Sequence, residues 1–183
     1  GVLLFVFISG AMSLCAKEPL RNGLLLVGCG LLITVTTYFY SPANIIVFGI
    51  LSLLGWAAII TVLVRPALQA IPIKFAIFLN VFLFFLTHEV ANGSLSLLKI
   101  HLYNLPSSWY ESQLLFPLGL PHASFVSADY FPLLPWIFPY WLGYFCWQMI
   151  GEETRAKYFF RQLPAFAFMG RRSLLLYLIH QPI

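Results

Sequence analysis

Residues 173–183 run Ser173-Leu-Leu-Leu-Tyr177-Leu-Ile-His180-Gln181-Pro182-Ile183, an apolar helical stretch with a titratable ring inside it. A helix satisfies its own backbone in lipid, but an imidazole there needs a partner or a water-filled cavity. His180 is therefore a candidate catalytic residue. Tyr177 shares its helix face at i−3, and Tyr177 and Gln181 are candidates for binding substrate. The plainer reading is a histidine that only bonds a neighbouring helix. Arg171 and Arg172 open the same run, and guanidinium groups suit phosphate, so both are candidates for holding an anionic, phosphate-bearing ligand. Charge that merely orients the helix is the plainer reading. Eight residues separate Arg172 from His180, a rise of ~12 Å at 1.5 Å per residue. That puts the ring near mid-membrane, since the hydrocarbon half-thickness is ~15 Å.

A second constellation is Ser127-Ala128-Asp129-Tyr130-Phe131-Pro132-Leu133-Leu134-Pro135-Trp136. Pro132, Pro135 and Pro139 are spaced three and four apart, which is one helix face. Each proline removes a donor and frees the carbonyl four residues back, here those of Ala128, Phe131 and Pro135. Asp129 sits beside this expected broken turn and is a second candidate catalytic residue. Tyr130 and Trp136 flank it as candidate sugar-stacking rings. The alternative is an interfacial aromatic belt with a proline at a helix start.

Other polar residues carry less. His88-Glu89 is not a zinc-protease motif, because the second histidine of H-E-x-x-H falls on Asn92. It reads as a polar helix end or as part of an outward cavity. His101 and His122 read as interfacial residues. Asn92-Gly93-Ser94 fits a glycosylation sequon, a pattern common by chance. Gly28-Cys29-Gly30 lacks the third glycine of a dinucleotide fingerprint, and neither a phosphate-binding loop nor a nucleophile elbow occurs. Cys15, Cys29 and Cys146 have no metal-ligand spacing and read as small buried side chains. No metal site is expected.

The elements that must position these groups are membrane helices. The chain is 61% hydrophobic and 9% charged, against about 25% charged in soluble domains, and its mean hydropathy is +0.89. The expectation is an all-α, polytopic transmembrane bundle forming one domain over 1–183. Its helices are expected near 1–16, 23–40, 45–64, 73–90, 130–150 and 165–183, most of them about the ~20 residues a bilayer core requires. Ser41-Pro42-Ala43-Asn44 is a tight turn that makes its two helices antiparallel neighbours. Pro66 and Pro72 bracket another short connection. Both chain ends fall inside apolar runs, so the chain reads as part of a larger bundle.

Nine of the ten basic residues fall in alternate connections: Lys17 and Arg21, Arg65 and Lys74, then Arg155, Lys157, Arg161, Arg171 and Arg172. The other two connections hold only Lys99. The positive-inside rule then makes 17–21, 65–74 and 151–172 cytoplasmic, with 41–44 and 91–129 extracytoplasmic, in a multi-pass cell-membrane protein. The net charge of +4 is a topology signal and gives no support for nucleic-acid binding. The 91–129 segment is too long for an idle connection. Its Leu95, Leu97, Ile100, Leu102, Trp109 and Leu114 suggest a segment lying on the membrane interface or folded over the bundle.

SADYFPLLPW at 127–136, Gly143-Tyr144, and the run from Gly170 to Pro182 resemble a bacterial membrane-protein family. That family is itself similar to the catalytic region of heparan-alpha-glucosaminide N-acetyltransferase. Arg21-Asn22-Gly23-Leu24 through Gly55 also looks like the family's middle region. Members often carry histidine where this chain has Ser52, and histidine or asparagine where it has Arg172. The family's first helix, with its Arg/Asp signature, has no counterpart here, and the resemblance puts the proposed catalytic histidine ahead of the Phe5–Gly10 helix.

The resemblance implies transfer of an acetyl group from cytoplasmic acetyl-CoA to a sugar amine across the bilayer. The partners are then the lipid bilayer, acyl-CoA and a glycan or amino-sugar acceptor, with homo-oligomers open. Arg171 and Arg172 would hold the donor, and His180 would orient or relay a proton. Asp129 would orient the acceptor or take its proton, with Tyr130 and Trp136 against the sugar. Two other classes stay open: a transporter or flippase of a small solute or lipid-linked sugar, and a scaffold subunit whose polar groups only join helices.

Overall fold

The computed structural model describes residues 1–97 and 100–151. The chain divides into two compact units, Gly1–Trp147 and Gln148–Ile183. Among the described residues the helices are α1 (Val2–Ser13), α2 (Pro19–Tyr40), α3 (Ile50–Leu63), α4 (Arg65–Ala70), α5 (Ile73–Thr87) and α6 (Leu133–Met149). His180, Tyr177, Gln181, Arg171 and Arg172 lie outside the described residues, as does the helix expected over 165–183.

Proline punctuates the helices as its chemistry requires. Pro19 opens α2 and Pro66 sits in the first turn of α4, where no backbone donor is needed. Pro72 caps α5. The 41–44 turn closes as a 3-10 turn over Pro42–Asn44, and α2 and α3 are antiparallel neighbours, as its composition predicts. Glycine lets their backbones touch. A Cβ on Gly55 would lie 2.7 Å from the Val27 nitrogen, and one on Gly30 3.1 Å from the Ser52 nitrogen and 2.3 Å from its hydroxyl. Ser52 is therefore buried in the tightest part of this contact.

Helices α1 and α6 cross just as closely. A Cβ on Gly10 would be 1.8 Å from the Tyr140 carbonyl oxygen, and one on Gly143 1.9 Å from that of Phe7. Val6, Leu53, Ala57 and Tyr140 are buried, and Tyr144 and Phe145 pack in a buried cluster with Leu68 and Ala76. The Trp141 indole donates to the Thr61 hydroxyl at 2.9 Å, tying α6 to α3. Thr61 in turn donates to the Ala57 carbonyl at 2.6 Å.

Among the described residues, two stretches are long and apolar enough to cross a bilayer by length and composition, Pro19–Tyr40 and Ile73–Asn92. Each buries few residues. Along α2 only Gly23, Gly30 and Ile33 are buried, while Leu24, Leu31 and Leu32 are well over half exposed. So wide an apolar face asks for hydrocarbon or protein against it, since soluble monomers rarely expose one.

Four expectations need correction. The helix expected over 45–64 begins only at Ile50, because the Ile45 and Phe48 carbonyls are taken by Ala128 and Phe131 of a distant segment. The helix expected from 130 begins at Leu133, and Leu134 is non-helical (φ −92°, ψ 126°). The fold is mostly helical but not all-α. The antiparallel hairpin of β1 (Ser94–Leu97) and β2 (Ile100–Asn104) opens the long segment. Its Ser-Leu-Ser-Leu alternation has the two-residue period of a strand. Glycine at 93, with φ +84°, supplies the left-handed turn leading into it. Among the cysteines, Cys15 is exposed and Cys29 and Cys146 half-buried, so none is the buried side chain expected.

Candidate functional site

The site flagged around Asp129 is built by two segments eighty residues apart. Residues 45–48 and 127–131 lie side by side with a parallel bridge between Phe48 and Tyr130. Ala128 donates to the Ile45 carbonyl at 2.9 Å, and Phe131 to that of Phe48 at 2.9 Å. The Val47 N–H bonds the Ser127 hydroxyl at 3.1 Å, and that hydroxyl donates to the Asp129 carbonyl at 2.9 Å. The Ala128 and Phe131 carbonyls precede the helix, so they are not helical acceptors freed by proline as expected. Pro135 follows the non-helical Leu134 at the opening of α6, and Pro139 in its interior leaves the Pro135 carbonyl without its helical donor.

This pairing delivers the Asp129 carboxylate to the start of α3, where it accepts the Ile50 N–H. A carboxylate there satisfies an orphan helix donor and faces the positive end of the dipole. No residue within α3's own approach does so, since its cap position is Gly49. Glycine fits because a Cβ there would sit 3.1 Å from Asp129 Oδ2. Asp129 is half-buried. Burial pushes its carboxyl above the ordinary value of 3.8, and the Ile50 hydrogen bond pulls the other way. An ionised carboxylate has about four lone-pair sites, so the Ile50 bond leaves capacity for another donor.

The expected sugar-stacking rings are packed against other rings. Tyr130 lies 4.9 Å from Phe125, which stacks on Phe116 at 5.2 Å. The Tyr130 hydroxyl donates to the Phe116 carbonyl. Burial first, then the nearby Tyr110 phenol, push that hydroxyl's pKa upward, so it stays a donor at neutral pH. Trp136 meets Phe131 at 5.2 Å and Phe84 at 6.3 Å, and Phe84 also contacts the His88 ring. His88 is the C-cap residue that ends α5, as the polar-helix-end reading expects. His101 lies exposed on β2.

Beside this cluster opens a cavity of about 280 Å³ lined by Val47, Gln113, Phe116, His122, Ser124 and Phe125, with Val126. His122 Nδ1 hydrogen-bonds the Ser124 hydroxyl at 2.9 Å. Its size is near the ~300 Å³ at which small-molecule pockets begin, and its lining mixes rings with polar groups as such pockets do. Gln113, Ser124 and Phe125 carry no sequence signal for this role. The pocket exists only because the loop folds back on Val47. Among the described residues, no three His, Cys, Asp or Glu side chains are placed to hold a metal.

The ends of the helices sort by charge. The α1–α2 turn with Lys17 and the α3–α4 junction with Arg65 line one common cleft together with Tyr144 of α6. The paired segments, Asp129 and the 280 Å³ cavity belong to the opposite helix ends. No curated protein and no solved structure shows significant similarity to the chain. The family model described as heparan-alpha-glucosaminide N-acetyltransferase, catalytic, matches residues 1–182. With the match spanning nearly the whole sequence, this chain belongs to the heparan-alpha-glucosaminide N-acetyltransferase catalytic-domain family, a membrane-associated family with acetyltransferase-type activity.

Proposed function

We propose that the protein is a multi-pass membrane acyltransferase. In this reading it moves an acetyl group from cytoplasmic acetyl-CoA to a sugar amine or hydroxyl on the extracytoplasmic side. The family match over residues 1–182 is the observation that carries it. The separation of Lys17 and Arg65 from the Asp129 region supports it, because donor and acceptor arrive from opposite faces.

In the reaction the acceptor nitrogen attacks the thioester carbonyl carbon, the C–S bond breaks and the thiolate leaves. The nitrogen sheds one proton. Asp129 is the carboxylate at the outer end able to take or orient that proton, and the adjoining cavity with Gln113 and His122 is where a polar ring would rest. His180 would relay a proton within the membrane, and Arg171 and Arg172 would hold the donor's phosphates.

Asp129→Asn tests the acceptor side, because the amide oxygen still accepts from Ile50 and preserves the α3 anchor. General-base loss typically costs 10²–10⁴-fold, so turnover of labelled acetyl-CoA onto an amino sugar should drop at least ~100-fold with unchanged circular dichroism. His180→Ala should fall similarly. Wild-type turnover in both variants would remove these residues from the chemistry. Solute accumulation in vesicles without any acyl donor would decide for a transporter instead.

A further inference from the structure

The basic end of the bundle holds a cleft to which the proposed acyl transfer assigns no role. Its polar chamber, about 130 Å³, is lined by Ser13, Lys17, Thr61, Arg65 and Tyr144 among others. An apolar chamber of about 180 Å³ continues from it between α1 and α2, with Met12, Leu26 and Leu54 in its walls. The two share Ser13, Ala16, Pro19 and Ala58.

Three observations point to a ligand. Lys17 and Arg65 form no ion pair among the described residues, and Glu18, the nearest carboxylate in sequence, is taken by Arg21 at 2.7 Å. Tyr144 is 2% exposed and lines the polar chamber. Its hydroxyl has no hydrogen-bond partner among the described residues, an arrangement proteins avoid unless something else supplies the bond. Finally, the polar chamber opens into apolar space along helices whose outer faces are Leu-rich.

The shared chemistry is a phosphate on an apolar tail, available either from a lipid or from an acyl donor. A chamber of about 130 Å³ is under half the ~300 Å³ where pockets for drug-sized ligands begin, a size matched to a single phosphate group, and the apolar chamber beside it suits a lipid chain. Basic pockets between membrane helices take anionic headgroups in this way. We propose that this cleft is a binding site for an anionic phospholipid. The headgroup phosphate sits between Lys17 and Arg65, one acyl chain follows Met12, Leu26 and Leu54, and Tyr144 donates to a headgroup or ester oxygen. The proposal rests on the membrane reading and not on acyl transfer, so an inactive enzyme would leave it standing.

The test uses the full chain, solubilised and delipidated in detergent, with lipid binding counted by native mass spectrometry. Phosphatidylglycerol should bind at least tenfold more tightly than phosphatidylcholine with the same chains. Lys17→Gln with Arg65→Gln should abolish that preference, and Tyr144→Phe, which removes no protein hydrogen bond among the described residues, should weaken phosphatidylglycerol several-fold. Millimolar inorganic phosphate should not displace the lipid. Equal retention of the two lipids, or a preference untouched by the double variant, overturns the proposal. So does competitive displacement by acetyl-CoA that is lost in the double variant, which would hand the cleft to the donor. Circular dichroism of each variant ensures that a loss reflects the cleft and not unfolding.

Discussion

At the scale of single residues, Asp129 does two things at once. It accepts the Ile50 N–H and it sits half-buried, which raises its carboxyl above 3.8. Between 3.8 and the raised value the folded chain binds more protons than the unfolded one. Its contribution to stability is therefore fully present below pH 3.8 and is lost as pH rises through the folded value. Activity runs the other way, because a base must be ionised. The acid limb of kcat/KM should lie above the ordinary aspartate range and vanish in the residual activity of Asp129→Asn. Superimposable pH profiles for the two proteins would dismiss Asp129 as the base. The sequence marked this residue through its prolines and rings, yet nothing local pointed to Ile50. The contact is made by segments separated by eighty positions.

At the scale of elements, glycine decides which helices touch. Gly143 presses on the Phe7 carbonyl, where a methyl would sit 1.9 Å from the oxygen. Overpacking of this kind costs typically 1–3 kcal/mol. Gly143→Ala should lower the unfolding midpoint in detergent, while Gly28→Ala, with nothing within 4 Å of its Cβ position, should not. Equal midpoints for the two variants would mean that α1 and α6 do not meet there. Most helices are legible from apolar run length alone, and the 41–44 turn from Ser-Pro-Ala-Asn, while the short helix α4 (Arg65–Ala70) stands where only a connection is expected. The pairing of β1 with β2 is legible only in the alternation of Ser94-Leu95-Ser96-Leu97, which total hydrophobicity conceals. The start of α3 was missed because residues 45–49 are as apolar as any helix, and only their partner makes them extended.

At the scale of the whole molecule, length explains why that extended stretch exists. Fourteen residues of α3 rise ~21 Å at 1.5 Å per residue, short of the ~30 Å hydrocarbon core. The stretch ahead of it, 45–49, lengthens the segment, and its Ile45 and Phe48 carbonyls accept from Ala128 and Phe131. The charge pattern made the two ends of the bundle legible. Which end faces the cytoplasm is open to a direct measurement. In a cysteine-free background, Lys17→Cys should react with an impermeant maleimide only after the inner face is opened, and Ser112→Cys in intact cells. The reverse pattern would invert the topology.

The side-by-side run of 45–48 and 127–131 has one more consequence. Two of its bonds, Ala128 to Ile45 and Phe131 to Phe48, join main chain to main chain, so exchanging side chains other than Ser127 and Asp129 leaves them intact. Adding or deleting one residue in either strand does not. Such a slip would carry Asp129 off the first amide of α3 and turn alternate side chains to the opposite face. This seam should tolerate varied spelling but not a changed length.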